Sequence, residues 1–254
     1  MKIVSVISAK GGVGKSTLSA NLGVALALLG IPVLVVDFDS QNSLRFHFSF
    51  DRSKKVGVAH TIKNNENWRE LTEITKSGVG FLSYGVCNES QHEEFEAFLK
   101  DNPFWLKEKI TEMRLSEETI VIVDTPPGTS VFLRQALRAS DLVVAVTLPD
   151  AGSYTTLPQL KNLIETYCTL GESDVHYGIV INQVDSTRQL AKDMHRVIVS
   201  IFKDNVIGEI CLDQSLSEAL AYGKSIFQYN PHSEAAENIK SCAQWVIGRL
   251  QNDR

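Results

Sequence analysis

Short, continuously apolar, β-branched runs punctuate the chain at Ile3–Ile7, Val33–Val36, Ile120–Val123, Leu142–Val146 and Ile179–Ile181, with a weaker one at Val206–Ile210. Continuous rather than alternating hydrophobicity is the mark of strands covered on both faces of a parallel sheet. Segments with helical spacing lie between most of them, the first from Ser16 to Leu29, closed by Gly30 and Pro32. Strand and helix in alternation predict an α/β fold, a doubly wound and mostly parallel sheet with right-handed crossovers.

One long gap interrupts this rhythm, from about Asn42 to Thr119. It holds the aromatic alternation RFHFSF, in which Phe46, Phe48 and Phe50 are expected on one strand face against the core, a partner surface being the alternative. A Trp68 segment and a short strand at Val79–Tyr84 follow. Helices are expected on either side of Asn102-Pro103, with Asn capping the second and Pro opening it.

A chain of 254 residues buries one sizeable core, so a single domain over 1–254 is the expectation. Hydrophobic content of 43% and charged content of 22% exclude the disordered, collagen-like and disulfide-framework classes. A net charge of -5 provides no global field for nucleic acid or an anionic membrane, which leaves only a local basic patch for such roles. Cys87, Cys168, Cys211 and Cys242 are widely separated with no C-x-x-C pair, the pattern of reduced, mostly buried thiols in a cytosolic protein.

No apolar run approaches the ~20 residues of a membrane helix. The opening MKIVSVISAK runs straight into a glycine loop and reads as a strand, not a leader. A cytoplasmic protein is expected. Near the C-terminus, Ile239, Cys242, Ala243, Val246, Ile247 and Leu250 form an apolar stripe accompanied only by Lys240, Arg249 and Arg254. That is too few basic residues for a membrane-surface helix, so a helix docked on the core is predicted.

The chemistry concentrates in SAKGGVGKST, Ser8 to Thr17. Gly14, Lys15 and Ser16 complete the phosphate-loop pattern G-x-x-x-x-G-K-[ST], but Ala9 stands at its first glycine and Lys10 follows at once. Gly11, Gly12 and Gly14 let backbone N–H groups turn inward around β- and γ-phosphates. The helix that follows aims its positive end at the same charge. Lys15 is placed to bridge phosphate oxygens and the Ser16 hydroxyl to ligate Mg²⁺, with Val13 and Thr17 completing the ATP-contacting stretch Lys10–Thr17.

KGGVGKST resembles the deviant Walker A loop of the MinD/ParA-type ATPases. The resemblance implies that Lys10 reaches across a homodimer interface to the ATP held by the other subunit, as an arginine finger does in trans. Lys10, Lys15 and Asp39 are the catalytic set it implies. In VVDFDSQ, Asp37 and Asp39 share a face if the strand continues. By resemblance Asp39 orients the attacking water and, with Asp37, supports the Mg²⁺ shell.

In VIVDTPPG, Asp124 ends a strand so apolar that its carboxylate calls for a cation or several donors. The resemblance makes it the Walker B residue that holds Mg²⁺ through water, with Gly128 of switch II near the γ-phosphate. Asn182 closes GIVIN, where the family reads the adenine edge. Asp213, in EICLDQSLSEAL, stands either at a second base contact or as the cap of a helix from Ser215.

The stretches SLRFHFSFDRSKKVGVAHTIKNNENWREL and DQSLSEALAYGKSIFQYNPHSEAAENIKSCAQWV are similar, more narrowly, to the BcsQ (YhjQ) family of cellulose biosynthesis proteins. This implies an accessory ATPase of bacterial cellulose secretion, working with small Bcs partners and recruited to the inner membrane or cell pole through them. The alternatives are a ParA-type DNA partition ATPase, which wants a Lys/Arg patch, and a MinD-like positioning ATPase. With 25 basic against 30 acidic residues and no dense basic run, DNA binding is disfavoured. Iron–sulfur relatives need paired cysteines, and none lies near DTPPG. The six histidines are scattered and carry no assigned role.

Overall fold

Each apolar run becomes a strand of one sheet in the computed structural model, which describes residues 1–50, 53–64, 66–169 and 175–251. The strands are β1 (Lys2–Ile7), β2 (Val33–Asp37), β3 (Glu73–Ile74), β4 (Gly80–Leu82), β5 (Ile120–Asp124), β6 (Leu142–Thr147), β7 (His176–Val184) and β8 (Val206–Cys211). Their spatial order is β3-β4-β2-β5-β1-β6-β7-β8. Every pairing is parallel except the short β3–β4 ladder at the edge.

The continuous hydrophobicity has the expected cause. Along β1, Val4 and Val6 enter the layer beneath the helices Lys15–Leu28 and Glu234–Gln251, while Ile3 and Ile7 enter the opposite layers. A strand covered on both faces has no position at which a polar residue is cheap. The opposite side is covered by Glu89–Asp101, Trp105–Glu112 and Val131–Ala139 at one end and by Ala151–Ile164 and Gln189–Phe202 at the other.

Four expectations are corrected. RFHFSF is not a strand: Leu44–His47 is a helical turn, Phe48 and Phe50 each pack 5.1 Å from the Phe81 ring, and the Arg45 guanidinium lies 4.9 Å over Phe46. The segment curls because the Leu44 N–H is tied to Asp37 and Ser49 adopts a left-handed φ of 50°. Asn102 closes the first helix instead of capping the second: its side-chain N–H donates to the Phe98 carbonyl at 2.8 Å, and the next helix starts at Trp105, past Pro103.

The strand near Val79 is confined to Gly80–Leu82. Of the described thiols only Cys242 is buried, its pKa pushed up to about 12 by burial, while Cys87 and Cys211 are half-buried. The Cys168 side chain lies outside the described residues.

In the terminal helix, Ile239, Cys242, Ala243, Val246 and Leu250 are buried against β8 and the helix Lys15–Leu28, with Ile247 packed at the margin. Among the described residues no helix is long and apolar enough to cross a membrane.

Candidate functional site

The site forms where β1, β2 and β5 end side by side, at the carboxyl edge where open α/β sheets present ligand-binding groups. β1 stops at Ile7, the glycine loop turns, and a helix starts at Lys15 with Gly14 as its N-cap and no side-chain cap. Its first N–H groups and its dipole therefore remain for an anion. Gly12 and Gly14 have φ of 76° and 86°, a region closed to most side chains. A Cβ on Gly14 would also lie 2.3 Å from the Asn182 amide nitrogen.

Beneath the loop, the buried Lys15 ammonium lies 3.6 Å from Asp124 Oδ1 and 3.9 Å from Asp39 Oδ2. Asp124 is fully buried and accepts the Ser16 hydroxyl at 2.6 Å on Oδ2 and the Ser19 hydroxyl at 2.8 Å on Oδ1. The Ser43 hydroxyl donates in turn to Ser16 Oγ at 3.0 Å.

β2 ends at Asp37, in register with Asp124, so Asp39 does not share its strand face. The Asp37 carboxylate turns the chain by accepting the N–H groups of Asp39 at 3.2 Å and Leu44 at 3.1 Å. Asp39 Oδ1 accepts the Gln41 N–H at 2.9 Å, which leaves Oδ2 toward Lys15. Burial, reinforced by the neighbouring Asp124 charge, holds the Asp37 carboxyl well above the usual carboxylate range, and burial raises Asp39 as well. Several acids around one lysine make an environment that favours an added cation.

The remaining predicted residues buttress or flank this cluster. The Gly128 N–H donates to the Ser8 carbonyl at 2.9 Å and joins the Pro-Pro-Gly turn to the loop. The Asn182 amide donates to the Val13 carbonyl at 2.8 Å and braces the loop from β7. Val13 is buried in the core below, and the Thr17 carbonyl accepts from Asn21. Asp213 caps the helix Gln214–Ala221, one residue earlier than expected, by accepting the Ser215 N–H at 2.8 Å. It also lines a cavity of about 560 Å³ with Asp185, Thr187 and Glu234. Lys10 stands apart from the cluster and pairs with Asp150 at 3.2 Å.

Ser19, Ser43 and Asp150 were not among the predicted residues. Ser19 follows Ser16 by three and shares its helix face, a signal present in the sequence. Asp150 lies just past the carboxyl end of β6, where the same strand-end rule points. Nothing in the sequence pairs Ser43 with Ser16.

Among the described residues no group of three or more His, Cys, Asp or Glu side chains forms a ready-made metal cage. The oxygen donors Ser16 and Asp124 fit Mg²⁺, which keeps water and phosphate oxygens among its ligands.

A family model described as cellulose biosynthesis protein BcsQ matches residues 1–247. The chain belongs to the BcsQ family. That match encloses the glycine loop, the Asp37–Asp39 turn, Asp124 and Asn182. BcsQ of Salmonella typhimurium is 26% identical over 255 residues, covering 97% of this chain and 94% of that protein. Soj of Bacillus subtilis, a sporulation initiation inhibitor protein, is also 26% identical, over 251 residues, covering 96% of this chain and 98% of its own. The solved structure of MinD with Mg-ADP from Pyrococcus horikoshii matches with a TM-score of 0.78 at 21% identity, covering 96% of this chain and 95% of that one. The BcsQ-family chain thus has the MinD/ParA-type P-loop fold.

Proposed function

We propose that this chain is an ATP hydrolase and a molecular switch: two copies close around two Mg·ATP, and slow hydrolysis reopens them. The observation that carries the reading is the buried cluster in which Ser16 donates to Asp124 while Lys15 lies between Asp124 and Asp39. A glycine loop with a left-handed Gly12 and Gly14, opening an uncapped helix, is the matching receptor for a polyphosphate.

In this reading the loop N–H groups and Lys15 would bind the β- and γ-phosphates, and Ser16 and Asp124 would hold Mg²⁺. The bound Mg²⁺ neutralises charge on the phosphates. Asp39 aligns the attacking water, and Asp37 fixes the turn that presents it. As water attacks, an oxygen–phosphorus bond forms at the γ-phosphorus, the bond to the bridging oxygen breaks and leaves its electrons on ADP, and the proton shed by the water is carried off by the inorganic phosphate or released to solvent. Asn182 meets the adenine edge. Lys10 serves the nucleotide of the second subunit.

BcsQ family membership supports a role as an accessory of bacterial cellulose synthesis and secretion, with small Bcs proteins as partners near the inner-membrane synthase. The test is capture from native lysate on ATP-loaded Asp39→Ala protein, followed by mass spectrometry and a nucleic-acid stain. Cellulose-synthase subunits or their accessory proteins, without DNA, are the expected result. Salt-sensitive DNA together with a centromere-binding protein would replace the cellulose role with that of a partition ATPase.

A further inference from the structure

Lys10 is 37% exposed on the rim of the loop, yet its ammonium is held, 3.2 and 3.4 Å from the two oxygens of Asp150. Asp150 is itself fixed as the N-cap of the helix Ala151–Ile164, its Oδ1 accepting the Ser153 N–H at 2.5 Å. Partial burial pulls its pKa up, but the Ser153 N–H and the Lys10 ammonium outweigh that and hold it below the usual carboxylate range.

Gly152 supplies the space. A Cβ there would lie 2.7 Å from Lys10 Nζ and 3.5 Å from Asp150 Oδ1. Gly152 is not among the residues of positive φ, so its backbone conformation does not demand glycine. Glycine weakens a helix relative to alanine, which leaves the room for the ammonium as its structural consequence.

We propose that Asp150 and Gly152 form a resting berth for Lys10, holding its ammonium against the helix of its own subunit until the chain pairs with a second copy. The inference rests on the trans role given to Lys10 above. Asp150 is then a positioning residue, and leaving the berth is a step in dimer closure. An ion pair this exposed biases an equilibrium by about two- to fivefold. Such a bias sets the concentration at which dimers form and still yields to the several charges of a bound triphosphate.

Two variants separate the berth from the cap. Asp150→Asn keeps an equally good N-cap residue and removes the charge. Gly152→Ala keeps the charge and crowds the seat, so that the lysine end must shift. With a non-hydrolysable ATP analogue and Mg²⁺, two berths are released per dimer, so sedimentation equilibrium at low salt should give a dimer dissociation constant about four- to twenty-five-fold lower for Asp150→Asn than for wild type, with a smaller gain for Gly152→Ala, whose added methyl meets only the movable end of Lys10. The gain should shrink near ~0.5 M salt, where screening already loosens the pair. In a Lys10→Ala background, Asp150→Asn should change nothing.

An unchanged or weaker dimer in Asp150→Asn, or the same gain without Lys10, would overturn the berth while leaving the dimeric switch intact. A wild type that stays monomeric with nucleotide at every concentration would overturn the switch, and the berth with it.

Discussion

The Ser16 hydroxyl donates to Oδ2 of Asp124 at 2.6 Å, joining the start of the first long helix to the end of β5 across 108 residues of sequence. The glycine loop and the DTPPG turn are therefore one chemical unit. Asp124→Ala removes the acceptor of Ser16 and Ser19 together and a counter-charge of Lys15. Nucleotide affinity in Mg²⁺ should fall about tenfold or more, one bidentate charged acceptor being worth ~1.4 kcal/mol or above. Titration with a fluorescent ATP analogue, with and without Mg²⁺, checks this; an equal loss in both conditions would contradict the metal role.

Lys10→Ala should leave nucleotide binding by the monomer within a few-fold of wild type and lower dimer-dependent turnover by ~10³, the scale of a charge supplied in trans. ATPase rate measured against protein concentration is the readout. Turnover that is unchanged would remove the trans assignment.

Asp39→Ala should bind ATP, fail to hydrolyse it and accumulate as a closed dimer on size exclusion. Asp39 reaches Lys15 only at 3.9 Å and is held by the Gln41 N–H, so its loss leaves the loop in place. Failure to bind nucleotide would make Asp39 a structural residue.

His47 is 6% exposed, and burial lowers its pKa to about 4 from the usual 6.5. The unfolded chain takes up a proton near pH 6.5 that the folded protein refuses until about pH 4. The contribution of His47 to stability is therefore full above pH 6.5 and declines as pH drops through that window, by roughly 3 kcal/mol at most. The fall in urea midpoint attributable to His47 between neutral pH and pH ~4.5 is the difference between the two proteins: His47→Gln should lose less stability over that interval than wild type.

The central strands and the glycine loop were legible because their signals are local: apolar runs for strands covered on both faces, and glycines next to a lysine and a hydroxyl. Asp124 was legible for a related reason, since a carboxylate ending IVIVD needs donors, and Ser16, Ser19 and Lys15 are those donors. What escaped depends on topology. Ser43 meets Ser16 across 27 positions and Lys10 meets Asp150 across 140, and no spacing rule reaches that far. The Phe46–Phe50 alternation misled because period-two hydrophobicity describes a strand only if the backbone stays extended, and here the Asp37 carboxylate captures the Leu44 N–H and curls it.

The brace between Asn182 and the loop also limits how lineages carrying this sequence can drift. Gly14 is constrained twice, by its φ of 86° and by the 2.3 Å that a Cβ would leave to the Asn182 amide. Shortening residue 182 relieves only the second constraint, so a change at 182 gives position 14 no freedom. Any side chain arriving at 14 forces the amide off the Val13 carbonyl. Position 14 is therefore closed to side chains whatever stands at 182, and a change at 182 forfeits the brace on the Val13 carbonyl without opening position 14.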